Sequence, residues 1–195
     1  MEKQNKKSIN KLSVIAMLSA ISFVLFLLEF PVIPSLGHLK LDFSDIPAII
    51  AGILYGPFAS VTVEFVKNLI ELLVKGVGTQ MGFGNLMNFI VGCAYVVPFT
   101  ASYRKLSKKY KTTKAIIISS VLGLWSILII GFFANYLIAP LFFKHFLSIN
   151  LTSESLWAAV WGATAINAIK GYMLSMFNFP IIKVIIDRLK KIIKL

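Results

Sequence analysis

The chain has 195 residues, 57% of them hydrophobic and only 14% charged, with a mean hydropathy of +0.82 and a net charge of +12. A soluble domain is about half apolar and a quarter charged, so an ordinary soluble domain is excluded and an integral membrane protein is indicated. Cys93 is the sole cysteine, which excludes an intrachain disulfide and makes a cysteine-based metal site untenable. The apolar segments are long and continuous rather than alternating at period two, which predicts an all-α membrane protein built as one domain over residues 1–195.

Taken in order, a basic stretch with Lys3, Lys6, Lys7 and Lys11 precedes an apolar span predicted over 12–34. The run is longer than a signal-peptide core, and Glu29-Phe30-Pro31 stands where a small-residue cleavage site would be needed. The loop that follows ends in Leu41-Asp42-Phe43-Ser44-Asp45-Ile46-Pro47, which holds two of the eight acidic residues. Ser44 or Asp45 can cap a helix, and Pro47 suits its first turn. Short apolar helices are expected over 44–55 and 58–74, separated by Gly56-Pro57, and then a loop with Gly76, Gly78, Gly82 and Gly84. Longer spans are predicted over 83–103, 115–140 and 156–180. In the tail, 181–195, Ile181, Ile182, Ile185, Ile186, Leu189, Ile192 and Ile193 share one face, the pattern of an amphipathic helix lying on the membrane surface.

Fifteen of the twenty basic residues fall in the N-terminal stretch, the 104–114 loop and the tail. Six transmembrane helices put all three regions on one side, which the positive-inside rule makes cytoplasmic, N- and C-termini included. Four spans would give the same parity, and six are preferred because residues 44–74 could not otherwise be solvated. Membrane topology accounts for the basic loop without a nucleic-acid partner. There is no phosphate-binding Gly-x-x-x-x-Gly-Lys-[Ser/Thr] loop, no His-Glu-x-x-His, and no visible nucleophile–base pair. His38 and His145 stand in separate loops, so no metal site is expected from them.

Polar residues inside spans are the candidates for function. Glu64, Lys67, Asn68 and Glu71 recur on one helical face, where Lys67 can pair with both carboxylates and leave a self-compensated patch. Asn85 and Asn88 share a face with Gly92. Asn135 lies near the outer end of the fifth helix. Asn167 and Lys170 stand three apart on the sixth, where no acidic residue of that helix can pair with Lys170. Its ammonium needs a carboxylate on another helix, helical carbonyls or a ligand. Each asparagine alone is accounted for by interhelical hydrogen bonding. Three donors converging on one half of the bundle suit a neutral, planar ligand with several carbonyl acceptors, its faces covered by Leu41, Phe43, Trp157 and Trp161. The two tryptophans are equally explained by an interfacial aromatic belt. Ala16 and Ala20 are spaced to let another helix approach closely, within this chain or outside it.

Leu41-Asp42-Phe43-Ser44-Asp45-Ile46-Pro47, Tyr55-Gly56-Pro57, Val66-Lys67-Asn68-Leu69, Asn88-Phe89-Ile90-Val91-Gly92, Asn135-Tyr136 and Asn167-Ala168-Ile169-Lys170-Gly171 together resemble the riboflavin-specific S components, the substrate-binding subunits of energy-coupling-factor (ECF) transporters. The resemblance covers most of the chain in order and spacing. It implies a multi-pass protein of the bacterial cell membrane that binds riboflavin near the extracellular surface, has no cofactor or catalytic activity of its own, and works with a transmembrane coupling subunit and two ATP-binding cassette ATPases. It implies substrate contacts at Leu41, Asp42, Phe43, Asn88, Asn135, Asn167 and Lys170, and a coupling-subunit contact at Ala16 and Ala20. The acidic positions of Glu64 and Glu71 depart from the family pattern. An S component for another vitamin is the near alternative, though a cationic one such as thiamine conflicts with Lys170. A standalone proton-coupled carrier using Glu64, Glu71 and Lys170 is the other, disfavoured by the scarcity of deep carboxylates and the lack of an internal repeat.

Overall fold

The computed structural model describes residues 2–28, 30–31, 40–41, 43–76, 82–146, 148 and 150–193, with the backbone alone at 2–8, 30–31, 40–41, 146, 178 and 189–193. Six helices follow one another: α1 (Glu2–Leu27), α2 (Asp45–Tyr55), α3 (Pro57–Lys75), α4 (Phe83–Leu106), α5 (Thr112–Phe146) and α6 (Ser153–Ile193).

α1 divides cleanly into two faces. Ile15, Ser19, Ser22 and Phe26 are buried, while Leu12, Ala16, Met17, Ala20, Ile21 and Val24 are exposed. The helix stops at Leu27, short of the span expected to reach residue 34. Pro31 supplies the reason, because a proline drives the residue before it out of the helical region. Phe30–Pro31 instead forms a two-residue strand, β1, antiparallel to β2 (Lys40–Leu41), with Phe30 opposite Leu41. Ser22 Oγ donates to the Ser44 carbonyl at 2.5 Å, which fastens the start of α2 to α1.

Pro57 opens α3, where its missing N–H costs nothing. Arg104, at the end of α4, donates through Nη1 to the Ile53 carbonyl at 2.7 Å and so satisfies a carbonyl that the end of α2 leaves unpaired. α2 packs on α3 and α4, α4 on α5, and α5 on α6. The shared core includes Ile49, Val63, Tyr95, Val96, Phe99, Ile116 and Ile127. Tyr95 reaches α6 through a 3.0 Å hydrogen bond to Ser175 Oγ.

Two helices run on past the prolines at which the spans are expected to end. α5 continues through Pro140 to Phe146, and α6 continues through Pro180 to Ile193. Neighbouring helices and local hydrogen bonding let membrane helices carry prolines without breaking. The tail is therefore no separate surface helix. It extends α6, and Ile182, Ile185 and Ile186 turn the apolar face onto Ile50, Ile53 and Leu54 of α2. Four helices, α1 from Ile9, α4, α5 and α6, are long and apolar enough to cross a membrane. α2, with 11 residues, and α3, with its charges, lie among them. The protein is an all-helical, multi-pass membrane protein.

Gly52 marks the tightest crossing. A Cβ there would meet Ser60 Oγ of α3 and, at 2.8 Å, Thr100 Cβ of α4. Gly52→Val is expected to destabilise the protein by about 1–3 kcal/mol through overpacking, read as a lower unfolding midpoint in detergent. An unchanged midpoint would mean that these three helices do not meet closely.

Candidate functional site

The α2 N-terminus is built around a carboxylate. Asp45 opens the helix, where its charge suits the positive end of the helix dipole. It is wholly buried and shared by two cations. One oxygen pairs with Lys67 Nζ of α3, and the other lies 3.0 Å from Lys170 Nζ of α6. Lys67 also pairs with Glu64, one turn earlier on α3, at 2.8 Å, and donates to Ser44 Oγ at 2.7 Å. Its ammonium lies 5.6 Å from the centre of the Phe26 ring on α1. Lys170 donates in addition to Asn88 Oδ1 of α4, at 3.1 Å. Among the described residues, two ammonium groups and two carboxylates thus share one buried cluster drawn from three helices, and Asn88 joins it from a fourth. Such charges persist away from water only when paired.

One face of α4 serves this cluster throughout. Asn85 donates to Glu71 Oε2 at 2.5 Å, Asn88 accepts from Lys170, and Gly92 leaves room for the Glu64 carboxylate. The self-compensated patch expected on α3 holds for Glu64 and fails for Glu71. Glu71 pairs instead with Lys75, at 2.8 Å, and with Asn85, while the second anion at Lys67 is Asp45.

The asparagines of α5 and α6 meet at Gly131. Asn135 Nδ2 donates to the Gly131 carbonyl at 2.8 Å, and the Asn167 amide lies where a Cβ on residue 131 would stand. Asn167 is buried, and its Nδ2 has no hydrogen-bond partner among the described residues; the same is true of Asn88 Nδ2. Phe43 packs edge-on against Phe177 of α6, their ring centres 5.1 Å apart, immediately before Ser44 and Asp45.

The expected site residues are therefore brought together in part. Asn88 and Lys170 are in direct contact, Asn135 and Asn167 share Gly131, and Phe43 adjoins the Asp45 cluster. The backbone of Leu41 lies in β2, and Asp42 falls outside the described residues. Trp157 stacks obliquely with Tyr136, and Trp161 meets Phe132 edge-on; both indoles remain exposed, as an aromatic belt requires. Sequence reasoning gave Asp45 and Lys67 no part in the site. Each was accounted for locally, Asp45 as a cap and Lys67 by its own helix, and no local spacing links either to Lys170.

Comparison with known proteins agrees with this architecture. Residues 10–182 match the family described as "ECF transporter, substrate-specific component". "Riboflavin transporter FmnP" of Bacillus subtilis (strain 168) is 35% identical over 178 residues, covering 90% of this chain and 92% of that one. "Riboflavin transporter RibU" of Staphylococcus aureus (strain TCH60) is 30% identical over 190 residues, 97% of each. A solved chain described under "Structure and mechanism of the S component of a bacterial ECF transporter" superposes with a TM-score of 0.73 at 28% identity, covering 94% of this chain and 99% of that one. The fold is that of a membrane transport component. The chain belongs to the substrate-specific components of ECF transporters.

Proposed function

We propose that the chain captures riboflavin at the outer face of the membrane and delivers it inward with an ECF module. The observation that carries this reading is the pair of buried amide donors, Asn167 Nδ2 and Asn88 Nδ2, that have no partner among the described residues, with the Lys170 ammonium in contact with Asn88. A buried donor without a partner costs about 1–3 kcal/mol, and the two carbonyls of a flavin's pyrimidinedione end would remove that cost. The sugar alcohol chain and the apolar xylene end then suit the aromatic and aliphatic remainder of a mostly apolar site. Leu41, Asp42, Phe43, Asn88, Asn135, Asn167 and Lys170 are the proposed substrate contacts. The names of the relatives point to the same ligand.

Arg104 at the head of the basic loop, the C-terminal end of α2 and residues 182–186 of α6 meet toward one end of the bundle, and the start of α2, tied to Ser22 and Lys170, lies toward the other. With the basic end cytoplasmic, the donor cluster faces the outer half. Ala16 and Ala20 lie on the exposed face of α1 between Leu12 and Val24, a shallow stripe that a helix of the coupling subunit could approach closely. Two ATP-binding cassette ATPases would then drive delivery.

The test is a titration of the detergent-purified protein with riboflavin, followed by flavin fluorescence. Quenching at one flavin per chain is expected. Asn167→Ala should weaken binding by about 1–3 kcal/mol, roughly five- to 150-fold. Fluorescence that stays unchanged at saturating protein would overturn riboflavin as the ligand and direct the search to other vitamins.

A further inference from the structure

Lys170 is the one cation among the proposed substrate contacts, and an unopposed ammonium would favour an anionic ligand. It is not unopposed. Asp45 Oδ2 lies 3.0 Å from Lys170 Nζ, while Oδ1 of the same carboxylate is held by Lys67. Lys67 is itself fixed by Glu64 and Ser44, so the carboxylate cannot turn away from Lys170 without breaking a second buried ion pair. Asp45, Glu64 and Lys67 are fully buried and Lys170 is 6% exposed, which keeps water from screening the pair. Asn88 Oδ1 takes a further proton of the ammonium at 3.1 Å and fixes its direction.

We propose that Asp45 is a positioning and specificity-determining residue: divided between Lys67 and Lys170, its carboxylate presents Lys170 as a charge-balanced hydrogen-bond donor and favours the neutral form of the pyrimidinedione edge that meets it. The proposal rests on the riboflavin reading above. A flavin can report the balance directly, because its pyrimidinedione N3–H can lose a proton and leave an anion. An ammonium whose charge is met leaves the neutral flavin favoured. An ammonium without its carboxylate stabilises the flavin anion. Among the described residues the titratable groups facing the cluster are Asp45, Glu64, Lys67 and Lys170, with the Cys93 thiol on the α4 side, and the flavin is the one that absorbs visible light.

The experiment compares riboflavin binding and the pH at which bound riboflavin ionises, read from its absorption spectrum, in the native protein, Asp45→Asn and Asp45→Glu. In the native protein, bound flavin should ionise at no lower pH than free riboflavin. Asp45→Asn should bind riboflavin about tenfold or more weakly and should ionise the bound flavin at a lower pH than the native protein does. Asp45→Glu should return both properties toward native. Native protein that ionises its flavin below the pH of free riboflavin overturns the proposal, and this measurement does not depend on a variant folding. A folded Asp45→Asn protein with native binding and native ionisation overturns it too, as does weakened binding without a shift in ionisation, which marks a purely structural carboxylate. If the native protein binds no flavin, the riboflavin reading fails first and the proposal with it. Native binding alongside an unaltered Asp45→Asn protein defeats the proposal alone.

Discussion

Lys67→Ala should lower the unfolding free energy by about 3–5 kcal/mol, because removing one partner of a buried ion pair leaves its carboxylates uncompensated. Asp45 and Glu64 would both lose a contact, and Ser44 Oγ a donor. The appropriate control is on the same helix. Lys75 pairs with Glu71 at 2.8 Å, but its side chain is 41% exposed, so Lys75→Ala should cost at most about 1 kcal/mol. Unfolding midpoints of the two variants in one detergent provide the measurement. Equal shifts would show that the Lys67 cluster is no more critical than a surface pair. Lys67→Met with Glu64→Gln should recover part of the loss, since it removes a charge of each sign together.

The second large effect concerns transport and leaves capture untouched. Ala16 and Ala20 project from the face of α1 opposite buried Ile15, Ser19, Ser22 and Phe26. Ala20→Trp therefore adds bulk without entering the core. Under the proposed coupling contact it should abolish riboflavin uptake by cells expressing the complete transporter, while riboflavin titration of the isolated variant stays native. A variant that transports normally would remove this face from the coupling interface. One that loses both uptake and binding would show that α1 acts through the fold.

How much of this was legible beforehand depended on distance along the chain. Helical periodicity correctly grouped Asn167 with Lys170 and Glu64 with Lys67, because residues three apart on a helix are neighbours. It also put Asn85, Asn88 and Gly92 on one face, and that face does meet α3 and α6. The requirement that Lys170 find an acceptor outside its own helix was equally readable. Which acceptor it finds was not, since nothing in local spacing joins Asp45 to a residue 125 positions later. Glu71 was misassigned for a related reason: both Lys67 and Lys75 are within reach along α3, and only the positions of Asp45 and Asn85 decide between them. Proline misled in both directions. Pro31 ends helical structure earlier than apolarity suggested, whereas Pro140 and Pro180 end nothing.

That long separation also bears on biogenesis. α1, α2 and α3 can gather as soon as they leave the ribosome, with Glu64 already beside Lys67. Lys170 arrives much later: at roughly 5–20 residues per second, 125 residues take roughly 6 to 25 s to synthesise. Throughout that interval the carboxylate of Asp45 has Lys67 but lacks its second cation, and α6 closes the circuit from the far end of the chain. A helix made late thus seals a polar junction begun early, so a chain truncated before Lys170 would present quality-control proteases with an unsealed charge inside the membrane.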